Sequence, residues 1–125
     1  MPTDKFSQIK LAVADLIEQQ TGMPVYTDRY LEPTEQRFAV VYLGEWSEEH
    51  DALDEALITG SLHIEVFAMN DGELSGYVAQ LRPLLKQFDS NLLDRFLPTG
   101  GEYPPEENGV RPSVILNYSI GFYES

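Results

Sequence analysis

The chain has 125 residues, with 21 acidic and 8 basic side chains, a formal net charge of −13 and no cysteine. That length fits one domain with a core of its own, and a hydrophobic fraction of 42% excludes a disordered chain. Disulfides and thiolate metal sites are excluded, no apolar run approaches the roughly 20 residues of a membrane span, and the acidic balance argues against a nucleic-acid or anionic-membrane binder. Met1-Pro2-Thr3-Asp4-Lys5 lacks the basic start and apolar core of a signal peptide, so a soluble protein made in the cytoplasm is expected.

Residues 4 to 20 predict an amphipathic helix. Phe6, Ile9, Val13, Leu16, Ile17 and Gln20 recur at three- and four-residue steps, the period of one helix face. Thr3 or Asp4 caps its start. Thr21-Gly22-Met23-Pro24 ends it, because Gly accepts the left-handed C-terminal conformation and Pro blocks continuation.

Val25 to Tyr30 predicts a short strand and Phe38 to Leu43 an apolar strand covered on both faces, paired as a hairpin around Pro33. Gly44 to Thr59 is expected to be the least regular part, with Ala52 to Ile58 a helical turn or the lead-in to the next strand. Trp46, the only tryptophan, sits there among acids. It either anchors an interface or folds back on the core.

Ser61 to Ala68 alternates strictly: Leu62, Ile64, Val66 and Ala68 to one face, Ser61, His63, Glu65 and Phe67 to the other. A strand with one buried face has this period, and at mid-chain it is expected to be central. Asn70 or Asp71 caps a second helix from about Glu73 to Phe88, striped by Leu74, Tyr77, Val78, Leu81, Leu84, Leu85 and Phe88. Pro83 lies inside it and predicts a kink or break near Gly76 to Arg82. Asn91 to Leu97 reads as a short helical piece and Pro98 to Gly109 as a Gly/Pro/Glu loop with no regular element. Ser113 to Tyr123 alternates again, with Val114, Leu116, Tyr118, Ile120 and Phe122 on one face. The elements together predict an α/β (α+β) fold in a single domain over residues 1–125: a central, mostly antiparallel or mixed sheet with two main helices packed on one face.

Charge is placed unevenly. From Phe38 to Leu81 there is no Lys or Arg, while Glu45, Glu48, Glu49, Asp51, Asp54, Glu55, Glu65, Asp71 and Glu73 fall there. The five arginines, Arg29, Arg37, Arg82, Arg95 and Arg111, lie outside this block. An acidic surface of one subunit meeting a basic surface of another is one reading; a solvated acidic face that keeps the chain soluble is the other.

Catalytic sets are not found. Gly100-Gly101 is too short for a phosphate loop, and no Gly-x-Ser-x-Gly nucleophile elbow occurs. His50, Asp51, Asp54 and Glu55, with His63 and Glu65 on one strand face, are a weak metal-like cluster that lacks a defined third ligand. A hard cation such as Mg²⁺ or Ca²⁺ suits the carboxylates better.

Several stretches resemble the tail terminator proteins of lambda-like long-tailed phages, the minor tail protein U family. They are Lys10-Leu11-Ala12-Val13-Ala14-Asp15-Leu16, Ala39-Val40-Val41-Tyr42-Leu43, the acidic loop, Leu62-His63-Ile64-Glu65-Val66-Phe67, Asp71-Gly72-Glu73-Leu74 with Pro83 inside the following helix, and Asn117-Tyr118-Ser119-Ile120-Gly121-Phe122-Tyr123. The Pro98–Gly109 stretch departs from the family pattern. The resemblance implies an α/β domain assembled as a hexameric ring that caps the finished tail tube. The ring stops tube polymerisation and presents the head-attachment surface. Its partners would be further copies of itself, the tail tube protein and a head completion or connector protein. The place would be the virion tail of a phage or prophage, and the host cytoplasm during assembly. It implies no catalytic residue, no cofactor beyond a weak divalent cation such as Mg²⁺ aiding assembly, no membrane and no sequence-specific nucleic acid.

The expected subunit or partner interface comprises Arg29, Arg37, Trp46, Glu48, Glu49, Asp51, Asp54 and Arg111, the acidic 45–55 segment of one subunit meeting the arginines of its neighbour. The alternatives are another head–tail joining or tail-tube protein, an acidic monomeric adaptor, and a small metal-dependent enzyme using His63, Glu65 and the acidic segment.

Overall fold

The computed structural model describes residues 4–27, 35–50, 55–88, 91, 93–104 and 111–124. The alternating mid-chain segment is the middle of strand β3 (Ala56–Phe67), central in a five-stranded sheet of order β1-β2-β3-β5-β4. Its partners are β2 (Phe38–His50) and β5 (Ser113–Glu124), both antiparallel. β4 (Arg95–Glu102) adds antiparallel to β5, and β1 (Val25–Tyr26) adds parallel to β2. The sheet is therefore mixed, and the fold is α+β.

Helix α1 (Lys5–Thr21) packs on β1 and β2; helix α2 (Asp71–Lys86) packs on β3 and β5. One sheet face supplies the core. Val41, Ile64 and Leu116 lie side by side across it, joined by Ile9, Val13 and Ile17 from α1 and Leu74, Leu81 and Leu85 from α2. Burying these side chains removes apolar surface from water, worth about 1.5–3 kcal/mol for each large one. The other face, with Ser61, His63, Glu65 and Phe67 half-buried along β3, has neither helix on it.

Both helix starts are set by side-chain caps. Asp4 accepts the Ser7 N–H at 2.9 Å. Asn70 accepts the Glu73 N–H at 2.9 Å, and Glu73 reaches back to the Met69 N–H at 2.9 Å, a reciprocal arrangement close to a capping box. Gly22 closes α1 in the left-handed region, φ 73°. On the stripe of α1, Gln20 is exposed and Ala14 is buried instead.

Four expectations are corrected. β1 does not form a hairpin with β2: the two run parallel, Val25 opposite Ala39 and Tyr26 opposite Val40, whereas strands joined by a hairpin run antiparallel. Gly44 to Thr59 is not irregular where it is described. β2 continues to His50 and β3 begins at Ala56, with a register shift between Leu43 and Trp46; β3 keeps β5 on its other side throughout, so this acidic ribbon, Glu45–His50 on its β3 partner, is an edge of the continuous sheet. Ala56 to Ile58 is thus strand rather than a helical turn. Its β2 arm is exposed on both faces, so no core demands the alternation by which a strand is read. The piece from Asn91 to Leu97 is not helical among its described residues, and Pro98 to Glu102 is not loop: Arg95–Glu102 is an edge strand. An edge tolerates Pro98, whose missing N–H costs no ladder bond when it faces outward, and the register shifts just after it, between Pro98 and Gly100. Finally, the break near Gly76 to Arg82 does not occur: α2 stays helical through that stretch and past Pro83 to Lys86. Pro83 lies in the last turn, and Ala79, the acceptor it deprives of a donor, is exposed to water. Among the described residues, no helix is long and apolar enough to cross a membrane.

Candidate assembly surface

The ribbon is where sequence and structure give the chain its most unusual surface. Gly44 through His50 are all exposed, and the arm holds Glu45, Glu48 and Glu49 with Glu55 just before the facing strand. Strand pairing holds these carboxylates in fixed register: Glu48 opposite Ile58 and Glu49 opposite Leu57. Glu48 meets His50 at 3.0 Å. Asp51 and Asp54 lie outside the described residues.

Trp46 stands at the root of the ribbon, opposite Gly60. Its indole leans on Phe6 of α1, ring centroids 5.6 Å apart, and Phe6 in turn meets Phe122 edge-on at 5.2 Å. The side chain nevertheless remains 59% exposed. One side of the Trp46 ring thus rests on the helix, as the core reading expects in part, and the other is exposed.

The expected basic counterparts are already engaged. Arg37 Nε donates to Glu73 Oε2 at 2.6 Å. That bond, ahead of the Met69 N–H, lowers the Glu73 carboxyl below its usual value and raises the Arg37 guanidinium. Arg111 donates to the Glu35 carbonyl and lies over the Phe38 ring, 5.5 Å from its centroid. Phe38 itself stacks on Phe67 at 4.6 Å. Arg37 and Arg111 thus tie the foot of β2 together, at the opposite end of that strand from Glu48 and Glu49. Arg29 lies outside the described residues.

On the open sheet face, His63 Nδ1 is 2.6 Å from Asn117 Oδ1, its ring beside Tyr42 at 5.2 Å. Ser113 donates to Glu65 at 3.0 Å. His63 and Glu65 share a face as the alternation requires, but each has its own cross-strand partner. Among the described residues, no three His, Asp or Glu side chains gather as a metal-holding group.

One feature escaped sequence reasoning. Between α2 and β4 lies a groove of about 590 Å³, lined by Val78, Arg82, Lys86, Pro98, Tyr103 and Tyr118 among others. Neither helix packs closely over the edge strand, so β4 is exposed along nearly its whole length. Burial raises the Tyr118 hydroxyl pKa, and the nearby Arg82 guanidinium partly offsets this. Arg82 and Lys86 form no hydrogen bond or ion pair among the described residues. Their four-residue spacing on the last turns of α2 was visible, but the groove exists only because 95–102 is a strand. No protein-family model and no curated protein matches the chain.

Proposed function

We propose that this chain is a structural assembly protein of a long-tailed phage or prophage: a subunit of a ring, hexameric by the family resemblance, that caps the tail tube. The ring ends tube polymerisation and offers the surface to which the head, through its completion or connector protein, attaches. The protein then resides in the virion tail and, during assembly, in the host cytoplasm. It works without catalysis.

The observation that supports this reading is the exposed acidic edge at the end of β2, with the open side of Trp46 at its root and Arg95 as the cation lining the same hollow as Glu45 and Glu49. A closed ring is built from two different patches on each subunit, and a surface so unlike the rest of the molecule suits one of them. Crowded carboxylates repel, so salt or a divalent cation such as Mg²⁺ favours closure.

The test is molar mass by light scattering, at low and high salt and with and without Mg²⁺, followed by addition of the chain to polymerising tail tubes. A closed oligomer that halts tube growth is expected. A chain that is monomeric throughout and leaves tube length unchanged defeats the reading and favours an acidic adaptor for a basic partner.

A further inference from the structure

We infer that the groove between α2 and β4 is the acceptor for the acidic ribbon of a second copy of this chain. This rests on the ring reading and names the two surfaces that meet. The groove and the ribbon belong to opposite halves of the sheet, one at the β4 edge and the other on the β2 side. A contact between them is head-to-tail, leaves both patches on each copy in use, and repeats around a ring.

Charge complementarity identifies the occupant. The groove wall presents Arg82 and Lys86, one helical turn apart and free of ion pairs among the described residues. No Lys or Arg interrupts residues 38 to 81, so the ribbon is purely acidic among its charged side chains other than His50. Arg37 and Arg111 already have acceptors in their own chain, and Arg95 at the start of β4 lines a hollow with Glu45, Trp46 and Glu49 of its own chain.

Shape agrees with charge. The α2 wall from Ser75 to Lys86 is about 16 Å long at 1.5 Å per residue. The ribbon arm from Glu45 to His50 is about 17 Å at 3.3 Å per residue. Trp46 and Glu48 share a ribbon face two residues apart, so an apolar ring and a carboxylate enter together. The groove matches them with Val78, Pro98 and the exposed Tyr103 ring below the two cations. A partly exposed tryptophan docking beside a desolvated charge pair is the composition of an interface hot spot.

The absence of cysteine makes the test direct. A79C and S47C chains, both altered at exposed positions beside the proposed contact with its charges kept, are mixed and treated with a short bis-maleimide; circular dichroism confirms that each is folded. If ribbon meets groove, A79C–S47C heterodimers exceed either homodimer by about tenfold, because docking raises the local thiol concentration, and the excess falls in high salt. The statistical mixture of heterodimer and homodimers overturns the inference. The wild-type mass is read separately. A ring with statistical cross-linking sinks this contact alone, and a monomer with statistical cross-linking sinks both readings. A heterodimer excess without a closed ring retains the contact and rejects ring closure in solution.

Discussion

Arg37 and Glu73 bind each other across the fold, joining the residue before β2 to the first turn of α2 at 2.6 Å. Glu73 also holds the Met69 N–H. One carboxylate thereby fixes a strand foot and a helix start. The consequence for the proposed ring is practical: reversing Arg37 would strain the subunit itself, so Arg37 is a poor probe of assembly.

That pair makes a pH prediction. The Glu73 pKa is lowered from its ordinary 4.5, chiefly by Arg37 and then by the Met69 N–H. A depressed carboxyl contributes stability that is present above the ordinary value and lost as pH falls through the folded one. E73Q should therefore lower the melting temperature at pH 7 and lose that deficit as the pH drops well below 4.5. Thermal unfolding at a series of pH values checks this; a deficit independent of pH would show that the carboxylate charge plays no part.

Gly44 faces His63. A Cβ at residue 44 would lie 2.5 Å from His63 Nε2 and 3.2 Å from Cδ2, and the ring cannot swing away without leaving Asn117. G44A should cost about 1–3 kcal/mol, as overpacking does, and H63A should relieve most of it. Urea unfolding of the two single variants and the double variant gives the coupling directly. Additive effects would mean that the ring moves freely.

Gly101 is more constrained, because the obstacle is backbone. A Cβ there would sit 2.7 Å from the Ile115 carbonyl oxygen. G101A should loosen β4 from β5 while β2 and β3 stay paired. Hydrogen exchange should then show faster amides in 95–102 and unchanged ones in 62–67. Uniform loss of protection across both regions would show that the edge strand does not open separately.

Trp46 is the only tryptophan and reports the ribbon without a label. At 59% exposure its emission in the dilute monomer should be that of a largely wet indole. Raising protein concentration or salt should shift the emission to shorter wavelength as the ribbon docks. The shift should be lost in R82E/K86E. A shift that persists in that variant would place Trp46 in another contact.

Much of the fold could be read in the residues because burial imposes a period. Leu62, Ile64 and Val66 alternate under two helices, and so do Val114, Leu116 and Tyr118; Ile9, Val13 and Ile17 repeat at helical steps. Asp4, Gly22 and Asn70 marked helix ends by their own chemistry. What failed were the elements outside the core. Glu45 to His50 forms a strand in water, held by its ladder to β3 rather than by an apolar face. Phe96 alone of β4 is half-buried, stacked on Tyr118 at 4.7 Å, and one contact makes no pattern. Of the residues proposed for the interface, Trp46 and the acids were legible as oddities of composition. The internal bonds of Arg37 and Arg111 were not, because their partners are distant in sequence.

The position of β5 in the sheet has a consequence for synthesis. It lies between β3 and β4, yet it is made after both. Until residues 113–124 leave the ribosome, Leu62, Ile64 and Val66 have a strand on one side alone, and Phe96 has no Tyr118 to lie against. The nascent chain therefore shows a hydrophobic seam for as long as the intervening residues take to translate. A chaperone that shields that seam would govern how many subunits reach the folded state at all.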